Sequence, residues 1–249
     1  KFPRTHHVLN TGGYAVTRDD LVMSDAEACG FFDGRTVVLA EEKVDGANLG
    51  FSLTKDYEVR CQNRSHYVNP QSHAQFRSLQ SWLDEHTGAL CQLLAPEREV
   101  LFGEWLAVKH SVHYSRLPGL FLAFDIFDKR SGTFCSAAER DRRLRGSGIP
   151  VVRTMAKRAF GSKAELLTLL EQRSAYTDGF VEGAYLRIDA ADGREADGGE
   201  ADGRRVGTNV RRGKIVRADF VQGITEHWIN AEIVKNVVRA DLWLEEETD

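Results

Sequence analysis

The chain lacks several features that would have placed it at a membrane or in an oxidising compartment. No run approaches the roughly 18 consecutive apolar residues that a membrane-spanning helix requires, so no membrane partner is expected. The four cysteines, Cys29, Cys61, Cys91 and Cys135, stand singly, with no CxxC pair and no dense framework. Unpaired thiols fit a reducing compartment, and a cytoplasmic or nuclear location is expected. The opening residues KFPRTHHVLN contain no initiator methionine, apolar signal core or transit pattern, which leads us to expect a trimmed or excised piece. Positive charge is not in excess either. The formal net charge is −4, the wrong sign for a simple nucleic-acid binder. Its distribution matters more than its sum. Acid gathers in Asp189–Asp202 and Glu245–Asp249. Base gathers at Arg140, Arg142, Arg143 and Arg145, and again at Arg204, Arg205, Arg211, Arg212, Lys214 and Arg217. Solvated faces would look the same, so charge alone decides nothing.

With 249 residues and 42% hydrophobic composition, the chain can bury a sizeable core. Short β-type runs dominate: Thr36–Glu41, Ala47–Leu53, Tyr57–Cys61, Glu99–Ala107, Gly119–Phe127, Phe180–Ile188 and Gly213–Arg217. Helical spacing of apolar residues recurs over Gln71–Leu94 and Ser162–Arg173, and Ser136 opens a polar helix to about Arg145. A last stripe, Ile224, Trp228, Ala231, Val234, Val238 and Leu242, predicts a C-terminal helix over about 220–244. ADGRE, ADGGE and ADGRR are near-copies of one pentapeptide, too polar to offset their ordering entropy. They predict a flexible loop over about 189–205, and they lack the roughly nine-residue period of calcium-binding repeats. The expected fold is α+β, a single domain over 1–249 of mainly antiparallel sheets flanked by helices, with no separate C-terminal domain.

The most informative stretch is EEKVDGANLGF, Glu41–Phe51. A lysine amine attacks phosphorus only when unprotonated, so Lys43 at a strand end needs its proton displaced. A metal cation held with help from Asp45 would repel the ammonium form. Gly46 allows close approach of backbone to a phosphate, and Asn48 offers an amide to sugar or phosphate. A plain surface hairpin would also use Asp-Gly, and these residues alone leave both readings open.

KxDGxN, here Lys43 to Asn48, resembles the attachment motif of the covalent nucleotidyltransferases, the polynucleotide ligases and capping enzymes. In detail the chain is similar to the ATP-dependent RNA ligases, particularly the group typified by the second RNA ligase of phage T4. The resemblance continues in order from about Val38 to His227, through Asn63-Arg64-Ser65, Phe102-Gly103-Glu104-Trp105, Phe124-Asp125, Glu182-Gly183 and Lys214. It implies an ATP-grasp-like ligase fold, a nucleotidyltransferase domain.

It also implies roles. Lys43 would carry AMP, taken from ATP, and Glu42 would lie near the adenine amino group. Arg64 would meet phosphate or ribose, and Phe124 would stack on the purine. Glu104 and Glu182, with Asp45, would hold Mg²⁺ or Mn²⁺ or the ribose hydroxyls. Lys214 would neutralise the α-phosphate. The substrates implied are RNA ends, a 3′-hydroxyl and a 5′-phosphate, joined by a monomer. DNA sealing, GTP-dependent capping and an inactive RNA-binding module are the alternatives. Asn48 stands where the DNA and capping groups more often carry Arg. Retention of Lys43, Glu104, Glu182 and Lys214 argues against an inactive module. His110 and His113 find no third ligand nearby and are read as structural or RNA-contacting.

Two departures stand out. The last motif commonly reads Lys-x-Lys, whereas here Lys214-Ile215-Val216 lacks the second cation. Arg212 shares the strand parity of Lys214 and is the preferred substitute, with Arg217 the alternative. Only about thirty residues follow Arg217, too few for an added domain of ordinary size.

Overall fold

The computed structural model describes residues 2–12, 21–189, 211–222 and 233–243. Within them the strands form two antiparallel sheets. The first has the order β7-β1-β8-β9, built from β1 (Val38–Lys43), β7 (Thr154–Arg158), β8 (Gly183–Ile188) and β9 (Arg211–Val216). The second runs β3-β2-β4-β5-β6, from β2 (Ala47–Leu53), β3 (Val59–Gln62), β4 (Glu99–Trp105), β5 (Phe121–Asp128) and β6 (Thr133–Phe134). Residues 6–8 add to the free edge of the first sheet. His7 bridges Lys214 in parallel, and the Lys214 N–H donates to the His6 carbonyl at 2.9 Å.

Each sheet has its own core. The second sheet packs on α2 (Leu79–Leu93), whose buried residues Leu79, Trp82, His86, Leu90 and Leu93 recur at three- and four-residue intervals. Trp82 stacks between Phe51, with centroids 4.6 Å apart, and His86, at 4.2 Å. The first sheet buries Val38, Ala40, Ala184, Leu186 and Ile215 against Phe31, Phe160, Leu166 and Leu169. Serine caps set three helix starts among the described residues, the first at Ser24, which accepts from the Glu27 N–H before α1 (Asp25–Ala28). Ser136 accepts from the Glu139 N–H before α3 (Ala137–Leu144), and Ser162 accepts from the Glu165 N–H before α4 (Lys163–Leu167).

The expected α+β class and antiparallel sheets agree with this architecture. Element limits differ where turn chemistry intervenes. The helix expected from Gln71 starts at Leu79, because His73 caps a separate 3₁₀ turn, Ala74–Phe76. The helix expected over Ser162–Arg173 becomes 3₁₀ after Leu167. The C-terminal helix expected over 220–244 needs the largest correction. Helix is present over Ala218–Gln222, whereas residues 223–232 lie outside the described residues. Residues 233–239 are not helical: Lys235 bridges Val108 and Val238 bridges Leu117, and a 3₁₀ turn follows at Ala240–Leu242. The cause is local. The buried Asn236 amide donates to the Leu106 carbonyl and accepts the Tyr114 N–H, and Val234, Val237 and Val238 favour extended backbone. The expected 189–205 loop lies outside the described residues from 190 onward. No helix among the described residues is long and apolar enough to cross a membrane.

Candidate active site

A single short segment brings the two sheets' chemistry together. β1 ends at Lys43, and the chain then passes through Val44, Asp45 and Gly46 into β2, which lies in the other sheet. The Asp-Gly pair is therefore a crossover between sheets and not the hairpin turn its composition also allows. Lys43 sits opposite Gly183 on β8, and Asn48 sits opposite Glu104 on β4. Gly46 is needed for space. A Cβ there would lie 2.4 Å from the Trp105 carbonyl oxygen and 2.7 Å from Leu106 Cδ2. Its N–H donates to Glu104 Oε1 at 3.1 Å. Asp45 is fixed from both ends, its N–H donating to the Tyr114 hydroxyl at 2.8 Å and its Oδ2 accepting the Ser111 N–H at 2.8 Å. We expect Gly46→Ala to cost about 1–3 kcal/mol by overpacking and to misplace Glu104. Thermal unfolding measures the first effect, and no loss of stability would contradict the contact.

Lys43 donates to Glu182 Oε1 in a very short contact, with the lysine side chain 27% exposed and the glutamate 5%. Burial opposes the lysine charge, but Glu182, Asp45 and Glu104 outweigh it and hold Lys43 above the ordinary lysine value. Burial pushes Glu104 up to about 8, against the opposing pull of Lys43. It likewise pushes Glu182 up to about 7. Lys43 is thus held as an ammonium beside two carboxyl groups whose ionisation burial opposes.

Above this cluster lies a cleft of about 280 Å³, lined by Glu42, Lys43, Asn48, Arg64, Glu104, Phe124, Tyr185 and Lys214 among others. Seven of the sequence-predicted residues therefore meet at one cavity. Asp45, Gly46 and Glu182 stand behind it through the contacts just given. Glu42 is held by Ser174 Oγ at 2.5 Å and by the Ala175 N–H at 3.0 Å, with Arg153 at 3.4 Å. Burial raises its pKa. His110 meets Gln75 Oε1 at 3.0 Å and His113 meets the Lys235 carbonyl at 3.1 Å, contacts that suit a structural role.

Arg212 does not line the cleft. It shares the inward face with Lys214, as parity requires, but its guanidinium pairs with Asp125 Oδ1 at 3.0 Å and lies 4.3 Å over the Phe134 ring. Arg217 pairs with Asp219. Neither expected substitute for the second cation is in the cavity.

Asp125 belongs to a buried network joining the sheets. Arg187 Nη1 lies 3.2 Å from Asp125 Oδ1, Arg187 Nη2 lies 3.0 Å from Glu41 Oε2, and Arg140 Nη2 lies 2.6 Å from Glu41 Oε1. Arg140 and Arg187 both donate to the Phe124 carbonyl at 2.7 Å. Sequence reading missed Glu41, Arg140 and Arg187 in this role. It also missed the N-terminal segment, whose Phe2, Arg4 and Thr5 line the cleft. The parity of Glu41 with Lys43 was the one available signal.

The fold is shared with solved RNA ligases. A mutant Naegleria gruberi RNA ligase with ATP and Mn superimposes with a TM-score of 0.56 at 14% identity, over 88% of this chain and 57% of that one. The same ligase with PPi gives 0.54 at 15% identity, over 88% and 60%. An archaeal ATP-dependent RNA ligase gives 0.51 at 17% identity, over 87% and 48%. The chain spans about half the length of these ligases. No curated protein matches it in sequence. The RNA ligase family model matches residues 36–202, about two-thirds of the chain, and the chain belongs to the RNA ligase family.

Proposed function

We propose that this chain is the adenylate-forming domain of an ATP-dependent RNA ligase, with Lys43 as the site of AMP attachment. The observation that carries the reading is Lys43 itself. It lies at a sheet junction, in contact with Glu182 and flanked by Glu104, at the floor of a cleft walled by Phe124 and Lys214. The closer kinship to the phage T4 group rests on the motifs alone.

The chemistry follows from these groups. Lys43, held as an ammonium, first gives up one proton to solvent; its freed lone pair then bonds to the α-phosphorus of ATP as the bond from that phosphorus to the bridging oxygen breaks. Pyrophosphate leaves with the bonding electrons, and a proton from the attacking nitrogen passes to Glu182 Oε1. A carboxylate held near 7 suits that transfer, being neither too weak nor too strong a base at neutral pH. Lys214 neutralises charge on the α-phosphate, and Phe124 offers a ring face to adenine, a contact worth about 1–3 kcal/mol. Glu42 sits near the base and Arg64 near phosphate or ribose. AMP then passes to an RNA 5′-phosphate, and an RNA 3′-hydroxyl displaces it.

A divalent cation fits the site. Glu182 Oε2 and Asn48 Oδ1 are buried without a hydrogen-bond partner among the described residues. No group of three or more His, Cys, Asp or Glu side chains among the described residues forms a ready metal cage. That combination suits a hydrated Mg²⁺ or Mn²⁺ shared with substrate phosphates, with Asp45, Glu104 and Glu182 as its protein side. Such an ion would supply positive charge against the phosphates and against the lysine ammonium.

Incubation with α-labelled ATP, GTP or NAD⁺ and Mg²⁺, followed by denaturing electrophoresis, tests the proposal. Acid-labile label is expected from ATP alone and is expected to vanish in Lys43→Ala. Label from GTP would move the reading to capping, and equal label on Lys43→Ala would remove the site assignment.

A further inference from the structure

We infer that Arg4, from the N-terminal segment, is the second phosphate-binding cation of the nucleotide cleft, in place of the one the last motif lacks. The inference rests on the proposed adenylation site but concerns a residue outside every motif. Among the described residues, four cationic side chains line the cleft: Arg4, Lys43, Arg64 and Lys214. Lys43 is the reacting group, and Arg64 belongs to the turn after β3. The strand candidates are otherwise committed, Arg212 to Asp125 and Phe134, and Arg217 to Asp219.

Arg4 is held over the cleft from both sides. Before it, Phe2 is 6% exposed and meets Phe102 and Phe124 edge-on, with centroids 5.1 Å away in each case, and Phe134 at 5.5 Å. After it, His6 and Val8 bracket Lys214. The Lys214 N–H donates to the His6 carbonyl, and the Val8 N–H donates to the Lys214 carbonyl, each at 2.9 Å. Two fixed anchors with Arg4 between them leave that residue at the cavity wall beside the strand that carries Lys214. A guanidinium there presents a fork of donors to phosphate oxygens, which suits it to a polyphosphate better than to a base edge.

Equilibrium binding of ATP and of adenosine to the full chain, with Arg4→Ala and Arg4→Lys beside wild type, tests the assignment. We expect Arg4→Ala to weaken ATP about tenfold or more, the loss of one charge-assisted contact, and to leave adenosine within about twofold. Arg4→Lys should recover part of the ATP affinity but not all of it. Unchanged ATP affinity in Arg4→Ala would overturn the inference. So would equal weakening of adenosine and ATP, since that marks a role in holding the pocket's shape. The label experiment separates this result from the ligase reading. Arg4-dependent ATP binding without any adenylate would leave the phosphate site standing and remove the ligase reading. Adenylate formation with Arg4-independent binding would do the reverse.

Discussion

Glu104→Gln is expected to stabilise the empty protein at pH 8 while abolishing adenylation. The carboxyl is raised from 4.5 to about 8, chiefly by burial. The folded state therefore holds a proton that the unfolded chain has released over most of that interval. Unfolding then releases protons, and stability attributable to this group falls as pH climbs from about 4.5 to 8. Glutamine does not ionise, yet it keeps an oxygen to accept the Gly46 N–H. The variant should match wild type near pH 4.5 and exceed it by about 4 kcal/mol at pH 8, or about 8–16 °C in Tm. Adenylation should fall by about a hundredfold or more, because the lost charge is the one suited to a hydrated cation. Melting curves at the two pH values, with the labelling assay, check both halves. A glutamine variant that follows the wild-type pH slope would show that Glu104 is not the buried charge described here.

The same result would explain why the site is legible in sequence at all. Lys43, Glu104, Glu182 and Lys214 are each poor choices for stability where they stand, so local patterning supplies no reason for them and chemistry does. Strand positions followed from short β-rich runs. Alternation put Arg212 beside Lys214 on one face. It carries no distance information, and the partner that claims Arg212 is Asp125, on the other sheet. The inter-sheet network was invisible for the same reason: Glu41, Asp125, Arg140 and Arg187 come from four separate elements. The C-terminal stripe misled because β-branched residues at three- and four-residue spacing fit either a helix or an extended segment. The buried Asn236 amide decided between them. Nothing in KFPR marks Phe2 and Arg4 as cleft residues, since the contacts that hold them are made to residues roughly a hundred or two hundred positions away.

Glu41→Ala is expected to be the most destabilising single change in this region, costing about 3–5 kcal/mol. Glu41 is fully buried, and its loss leaves Arg140 and Arg187, which are also fully buried, short of negative charge. Neither arginine can shed its proton to escape. The ion-pair contacts are close but poorly aligned as hydrogen bonds, so the attraction is mainly coulombic and depends on the burial that keeps water away. Tm should drop by about 6–20 °C, read by calorimetry. A second variant, Glu41→Met with Arg140→Met and Arg187→Met, tests what the network is for. Apolar replacement of a whole buried ionic group is often neutral for stability. Here it would also remove both donors from the Phe124 carbonyl, and with them the restraint on the ring proposed to stack on adenine. The expected signature is a recovered Tm with ATP affinity still weakened about tenfold, a split that a purely structural network would not give. Recovery of both together would assign the arginines to the fold alone.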